Sequence, residues 1–436
     1  MKKLVCFICA SILVFGLCVP AMADPVSEGL DIKASSAILM DAKSGRVLYE
    51  KDADAKRYPA STTKVLTALL AVENLDPDKI ITISETAVDI DRDGSNMGLL
   101  KGEEISVRDL LYGLLVDSAN DAANALGEEV SGSQEAFAQT MNQRAAELGA
   151  TGSHFANPHG YHDDNHYTTA RDLCLIAREA MKYDLFSQIV STTKYQIPPT
   201  NKYTEVREFS NHNALINPAM GRTYLYSAAT GIKTGYTSKA GKCLVASAEK
   251  DGAKYVCVVL DAPQTDGINY SFADPITLFD YAFKNYKMQT LSNTEEILAT
   301  KEVRWASGSE QAVLSSKEPL RALLPVNYEK EKLETALSLP DTVTAPIKAG
   351  ETVGYLTYSY DGYELGKVEL VNKKDIGISY IRMIFGTILS WILSAWVMVP
   401  LGIIVVIILI LRWNELRRQK KLRERRKNAS RRNFYR

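Results

Sequence analysis

Pro59-Ala60-Ser61-Thr62-Thr63-Lys64-Val65-Leu66-Thr67-Ala68-Leu69-Leu70-Ala71-Val72 is the stretch on which the reading of this 436-residue chain turns. From Val65 to Leu75 it is almost wholly apolar, too hydrophobic for a helix with a solvent face, so it is expected to run through a core. Ser61 and Lys64 stand three residues apart where that helix opens, on one face of a turn, so hydroxyl and amine can meet. A serine beside a lysine is an activated nucleophile if the lysine is neutral when it must accept the proton. Burial and a second nearby cation both lower a lysine pKa. A serine at a helix N-terminus also has backbone N–H groups facing a reacting carbonyl.

The same four-residue pattern recurs at Ser191–Lys194 and Ser247–Lys250, and context separates the three. Ser191 is followed by Tyr195-Gln196-Ile197-Pro198-Pro199, where no core helix continues. Ser247 runs into the turn signal Asp251-Gly252. Two further elements follow Ser61 in order: Ser118-Ala119-Asn120 inside a helical region, and Lys233-Thr234-Gly235 leading into a strand. Lys43-Ser44-Gly45 competes with the latter, but it precedes Ser61 and reads as a hairpin turn. The ordered series S-x-x-K, S-x-N, K-T-G is the signature of penicillin-recognising acyl-serine enzymes.

Outward from these motifs, residues 36–50 alternate around Ser44-Gly45 as a hairpin, and Leu244–Ala248 with Lys254–Leu260 as two strands joined at Asp251-Gly252. Helical patterns cover Val107–Ala125 and Thr169–Tyr183. Helices in the middle of the chain with strands before and after predict an α+β domain on an antiparallel sheet. After residue 286 short strand-like runs predominate, including a hairpin over Thr352–Val371, which predicts a small all-β domain.

The net charge of −1 conceals an asymmetry: +10 from Arg412 onward, +2 in the first 23 residues and −13 between. An acidic body argues against nucleic acid as a partner. Lys2 and Lys3, the apolar run Leu4–Val19 and Ala21-Met22-Ala23 read as a secretory signal peptide cleaved after Ala23. Met383 to Leu411 holds 29 residues without a charge, where a membrane span needs only about 20. The cations that follow it, from Arg417 to Lys427, belong in the cytoplasm by the positive-inside rule. The expected plan is therefore a signal peptide 1–23, a catalytic domain 24–285, a β domain 286–372, a transmembrane helix 383–411 and a basic cytoplasmic tail 412–436. The body is exported and tethered by its C-terminus to the cell membrane, in a single pass. Cys174, Cys243 and Cys257 each sit in an apolar stretch and read as small buried hydrophobes. His159, His162 and His166 have a metal-like spacing, but their polar loop reads as structural, so no metal and no cofactor is expected.

The sequence resembles the D-alanyl-D-alanine carboxypeptidases among the low-molecular-mass penicillin-binding proteins, over nearly its whole length. The likeness is carried by Tyr58–Lys64, Asp109–Ala123, His166–Asp172 and Gly231–Thr237, and by Ala345–Glu351 in the C-terminal part. It implies a penicillin-binding, β-lactamase-like domain followed by the small β domain. It also implies that Ser61 attacks the amide between two terminal D-alanines of a peptidoglycan stem peptide, with Lys64 accepting its proton. Ser118 would relay a proton to the leaving amine, and Asn120 would hold the substrate backbone. Lys233 with Thr234 and Gly235 would bind the terminal carboxylate, and the backbone N–H groups of Ser61 and Tyr236 would form an oxyanion hole. β-Lactams would acylate the same serine and leave slowly. The long charge-free stretch departs from the in-plane amphipathic helix that ends many members of the family.

No G-x-S-x-G elbow supports a Ser-His-Asp hydrolase. A class A β-lactamase deacylates through a Glu-activated water, and no Glu between Ser118 and Lys233 has an Asn four residues later. Two alternatives stay open at this point: a D,D-endopeptidase cutting peptidoglycan cross-links, and an inactive anchored peptidoglycan-binding module.

Overall fold

The computed structural model describes residues 29–91, 93–308 and 311–433. The expected signal peptide lies outside the described residues. Two compact units share the chain: Met1–Gln289 with Ala322–Leu333 and Tyr360–Leu365, and Thr290–Arg321 with Glu334–Ser359 and Gly366–Arg436.

In the first unit, β1 (Ser36–Asp41) and β2 (Val47–Lys51) form the hairpin around Ser44-Gly45. Six helices follow: α1 (Lys64–Asn74), α2 (Val107–Tyr112), α3 (Asn120–Ser131), α4 (Gln134–Glu147), α5 (Ala170–Ala180) and α6 (Asp184–Val190). Strands β3 (Ala229–Thr237), β4 (Gly241–Lys250) and β5 (Ala253–Ala262) and helix α7 (Tyr270–Asn285) complete it. The five strands make one sheet in the order β2-β1-β5-β4-β3, antiparallel throughout. Between β4 and β5, Asp251 and Gly252 take φ of 54° and 84°, the left-handed pair that a two-residue hairpin turn needs.

Both faces of this sheet are covered, which is why its strands read as nearly continuous apolar runs. Ile38, Met40, Val256 and Val258 pack with residues of α1 and α5, while Leu39, Tyr255, Cys257 and Val259 face Leu278 and Phe279 of α7. The period-2 alternation of strand side chains sorts them to the two sides. Helix α1 is buried from Lys64 to Ala71, and each of its buried Leu and Val side chains contributes about 2 kcal/mol. Cys174, Cys243 and Cys257 are free and buried.

Val107–Ala125 is not the single helix that its periodicity predicts. α2 widens into a π-type turn over Gly113–Asp117, and Ser118 then adopts φ 68°, ψ 28°. A left-handed residue cannot continue a right-handed helix, so the chain restarts as α3 at Asn120.

A six-stranded sheet carries most of the second unit. Its strands are β6 (Ala299–Arg304), β7 (Gln311–Ser316), β8 (Leu333–Ser338), β9 (Val343–Thr344), β10 (Thr352–Tyr360) and β11 (Tyr363–Asn372). They lie in the order β8-β10-β11-β7-β6-β9. The charge-free stretch 383–411 is likewise not one helix. It is divided between α8 (Tyr380–Ile392) and α9 (Ala395–Asn433). Between them, Ser394 Oγ turns back to donate to Trp391 O at 2.7 Å, a local bond that competes with helix continuation. Among the described residues, the helix that is long and apolar enough to cross a membrane covers Trp396–Arg426, its apolar half ending at Leu411.

Candidate active site

Ser61 lies in a short 3-10 turn, Ala60–Thr63, that feeds directly into α1. Ala60 takes φ 49°, and the turn is closed by its threonines: Thr62 Oγ1 donates to Pro59 O at 2.6 Å and Thr63 Oγ1 to Ala60 O at 2.9 Å. One turn on, the Lys64 amine is completely buried. It lies 3.0 Å from Ser61 Oγ, 2.7 Å from Asn120 Oδ1 and 2.9 Å from His159 O. The i, i+3 pairing expected for Ser61 and Lys64 is therefore met, and Asn120 is brought to the same amine from the N-terminus of α3.

Burial drives the Lys64 pKa well below the usual lysine range, and the nearby Lys233 cation pushes it the same way, against a smaller opposing pull from Asp121. Asp121 is buried too, which raises its own pKa. It is held by Met97 N at 3.0 Å and Leu99 N at 2.9 Å, tying the 97–99 segment to α3.

Lys233 sits on β3, the edge of the five-stranded sheet, opposite Val245. Its Nζ donates to Thr234 O at 3.0 Å. Burial lowers this lysine to about 7, with Asp117 pulling it back up. Asp117 is itself pushed up to about 6 by burial, partly offset by Lys233, and His212 Nε2 lies 3.8 Å from its Oδ1. Gly235 explains how the strand comes so close to the serine turn: a Cβ there would stand 3.0 Å from Pro59 O and from Thr62 N. Thr234 is half-buried and Tyr236 exposed, with the Lys242 ammonium 5.1 Å from the Tyr236 ring centroid. Ser118 is buried at its left-handed turn, and no hydrogen bond joins it to Lys64 or Lys233 among the described contacts.

The competing serines are spent elsewhere. Ser191 Oγ donates to Gln188 O at 3.0 Å, and Ser247 Oγ pairs with Thr230 Oγ1 at 2.7 Å.

Sequence reasoning missed the loop that encloses Lys64. His159 supplies a backbone carbonyl to it, and Pro158 O accepts from Thr67 Oγ1 one turn further along α1. Gly160 passes so near that a Cβ would lie 1.9 Å from Ala60 O. His166 Nε2 is 2.8 Å from Thr63 Oγ1, and its Nδ1 accepts from Ala156 N at 3.1 Å. The ring proton is therefore on Nε2, directed at Thr63. Burial holds both His159 and His166 down at about 3. Among the described residues no group of three or more His, Cys, Asp or Glu could hold a metal ion. The advance signals for this loop were its polar run, its spaced histidines and the family-like stretch that starts at His166. None of them pointed to the His159 carbonyl, since a carbonyl has no sequence signature.

Comparison with known proteins identifies the family. Residues 22–264 match the model of the D-alanyl-D-alanine carboxypeptidase family, and residues 286–377 that of the penicillin-binding protein 5 C-terminal domain. The D-alanyl-D-alanine carboxypeptidase DacF of Bacillus subtilis (strain 168) is 32% identical over 351 residues, spanning 79% of this chain and 86% of the relative. DacC of Escherichia coli (strain K12), of the same description, is 30% identical over 366 residues, spanning 81% and 87%. Among solved structures, penicillin binding protein 5 from Haemophilus influenzae superposes with a TM-score of 0.60 at 27% identity, covering 80% of this chain and 98% of its own. On sequence and fold together, the chain belongs to the D-alanyl-D-alanine carboxypeptidase family.

Proposed function

We propose that the chain is a serine-type D-Ala-D-Ala carboxypeptidase that removes the terminal D-alanine from peptidoglycan stem peptides through an acyl-enzyme on Ser61. The observation that carries this reading is the hydrogen-bond inventory of Lys64. A neutral amine has two N–H donors and one lone pair. Asn120 Oδ1 and His159 O are acceptors and take the two donors. The lone pair is left for Ser61, the one partner that carries a hydroxyl proton, 3.0 Å away. The depressed Lys64 pKa, caused by burial and by Lys233, favours this neutral state.

In the first step Ser61 Oγ forms a bond to the scissile carbonyl carbon as its proton passes to Lys64. The carbonyl electron pair moves onto oxygen, which the backbone N–H groups of Ser61 and Tyr236 receive. The C–N bond then breaks, and the proton reaches the departing D-alanine amine with Ser118 as relay. Water adds to the ester in the mirror sequence and regenerates Ser61. Lys233, with Thr234 and Gly235, binds the free carboxylate, which restricts the enzyme to a chain end, while Asn120 also positions the substrate backbone. β-Lactams form the same ester and are inhibitors. An export signal over 1–23 and the apolar helix support a catalytic body outside the cytoplasm, and the positive-inside rule a basic tail 412–436 inside.

The test is mass spectrometry of the full chain after incubation with benzylpenicillin and, separately, with diacetyl-Lys-D-Ala-D-Ala. A penicilloyl adduct on Ser61 with release of one D-alanine is expected. Ser61→Ala loses both and Ser191→Ala neither. An adduct without D-alanine release redirects the reading to a D,D-endopeptidase, and no adduct to an inactive binding module.

A further inference from the structure

Residues 97–103 lie between the turn that carries Ser118 and a hairpin to which no role in the reaction has been given. The hairpin pairs Lys194–Ile197 with Arg207–Ser210, and all of these residues belong to the first unit. Arg207, on the returning strand, grips the segment at both ends. Its Nη1 donates to Met97 O at 3.4 Å and its Nη2 to Glu103 Oε1. The Glu103 side chain is fully buried and that of Arg207 is 11% exposed. Glu103 closes the segment on itself, its Oε2 accepting from Leu100 N at 3.1 Å, and it also accepts from Thr200 Oγ1 of the hairpin loop at 3.0 Å. Tyr203 of the same loop adds a second tie. The Arg207 guanidinium stands 4.4 Å from its ring centroid, and its hydroxyl donates to Gly98 O.

On its other side the segment bears on the catalytic turn. Besides the bonds from Met97 N and Leu99 N to Asp121, Met97 packs against Gly113, where a Cβ would overlap Met97 Sδ. Gly113 O is the acceptor for the Ser118 N–H and, at 3.1 Å, for Ala119 N. Just before Met97, Ser95 O accepts from Asn120 N at 2.8 Å. A left-handed residue such as Ser118 persists only where its surroundings over-determine it. Here it hangs from a carbonyl whose residue Met97 supports, and Arg207 holds Met97.

We propose that Arg207, paired with Glu103, is a positioning residue for proton delivery to the leaving amine: it keeps Met97 against Gly113 and so fixes the turn that aims Ser118. This rests on the reading of Ser118 as the proton relay. A buried ion pair adds little net stability, because desolvation cancels much of its attraction. What the guanidinium supplies is direction, a planar fork that bonds two acceptors at once. An apolar side chain of similar volume fills the space without that direction.

Arg207→Met alone strands the Glu103 carboxylate and destabilises the chain for reasons unrelated to positioning. The test therefore uses Arg207→Met/Glu103→Gln, which leaves no buried charge and keeps an acceptor for Leu100 N. The full chain in detergent micelles is given diacetyl-Lys-D-Ala-D-Ala and, separately, the thioester analogue that ends in D-thiolactate. Cleaving the amide breaks a C–N bond whose nitrogen must take up a proton. Cleaving the thioester breaks a C–S bond whose sulfur leaves as thiolate and needs none. In the double variant kcat/KM is expected to fall by about thirtyfold or more for the amide and by less than about threefold for the thioester. Loss of folded protein alone lowers both by one factor. Hydrogen–deuterium exchange over residues 113–120, read by mass spectrometry, is expected to quicken by about tenfold. Equal loss on the two substrates, no loss on either, or unchanged exchange overturns the proposal. Ser118→Ala tests the relay separately. If it slows amide and thioester equally, the relay reading is what fails; faster exchange in the double variant then still supports Arg207 as the clamp of the turn, and unchanged exchange removes it.

Discussion

His166 Nε2 stands 2.8 Å from Thr63 Oγ1, and Thr63 in turn donates to Ala60 O, so one ring pins the turn that presents Ser61. His166→Phe removes that donor and also orphans Ala156 N–H, whose acceptor is His166 Nδ1. Each buried group left unpaired costs about 1–3 kcal/mol. The expected result is a lower unfolding midpoint together with penicillin acylation slowed by about tenfold or more. An unchanged acylation rate constant in stopped-flow measurements would remove His166 from any positioning role.

Gly160 makes a sharper test of the same loop. It has φ 84°, and a Cβ would overlap Ala60 O at 1.9 Å. Gly160→Ala must displace either the serine turn or the His159 carbonyl that Lys64 uses. Gly149 is its control: φ is 81°, but nothing lies within 4 Å of a Cβ there. Gly149→Ala should cost only the left-handed penalty of about 1–2 kcal/mol and acylate normally. Equal acylation by the two variants contradicts the loop's role.

The alkaline limb of kcat/KM follows from Lys233. As the carboxylate-binding cation it must be protonated, and burial brings it to about 7. Binding of the substrate carboxylate is therefore full below that pH and lost as pH rises through it. Asp117 supports the charged form, so Asp117→Asn should move the limb to lower pH. A limb that stays in place in this variant means that the two groups do not communicate.

Two buried histidines work against the fold at low pH. His159 and His166 are held at about 3 by burial, against about 6.5 in the unfolded chain. Below 6.5 the unfolded state takes up protons that the folded state refuses. Their contribution is thus complete above 6.5 and declines as pH falls toward 3, by about 1.4 kcal/mol per pH unit for each ring. Asp117, raised to about 6 by burial, offsets part of this loss below pH 6, so the test is a difference. By urea unfolding followed with near-UV circular dichroism from pH 7 to pH 4, His166→Gln should lose less stability on acidification than the wild type, by about 1.4 kcal/mol per pH unit. An identical slope in the variant argues that other groups govern acid unfolding.

The legible parts of this protein were those whose information is local. Ser61 and Lys64 meet because a helix brings i and i+3 together, and the Asp251-Gly252 turn forms because two left-handed residues suit it. Asn120 could be named from its motif, yet its bond to Lys64 spans 56 positions of sequence. Ser118 defeated the periodicity argument, because apolar spacing is blind to one left-handed residue inside a helical pattern. The Leu393-Ser394 break in the apolar stretch was hidden for a similar reason. Least legible was the 157–166 loop. Its contribution at Lys64 is a carbonyl oxygen, which every residue possesses, and only tertiary folding selects His159 to supply it.

Helix α9 runs without a break for 39 residues, from the apolar segment into the basic one, a rod of about 58 Å. Nucleation is the unfavourable step in forming an isolated helix, and propagation is easy once a turn exists. Residues 417–427 are poor at starting one, since Arg417 and Lys421, and then Lys421 and Arg425, are like charges at i, i+4. The apolar half supplies the nucleus from which the cationic half propagates. It thereby acts as a ruler, setting the spacing at which those cations stand instead of leaving them on a collapsing, fluctuating coil.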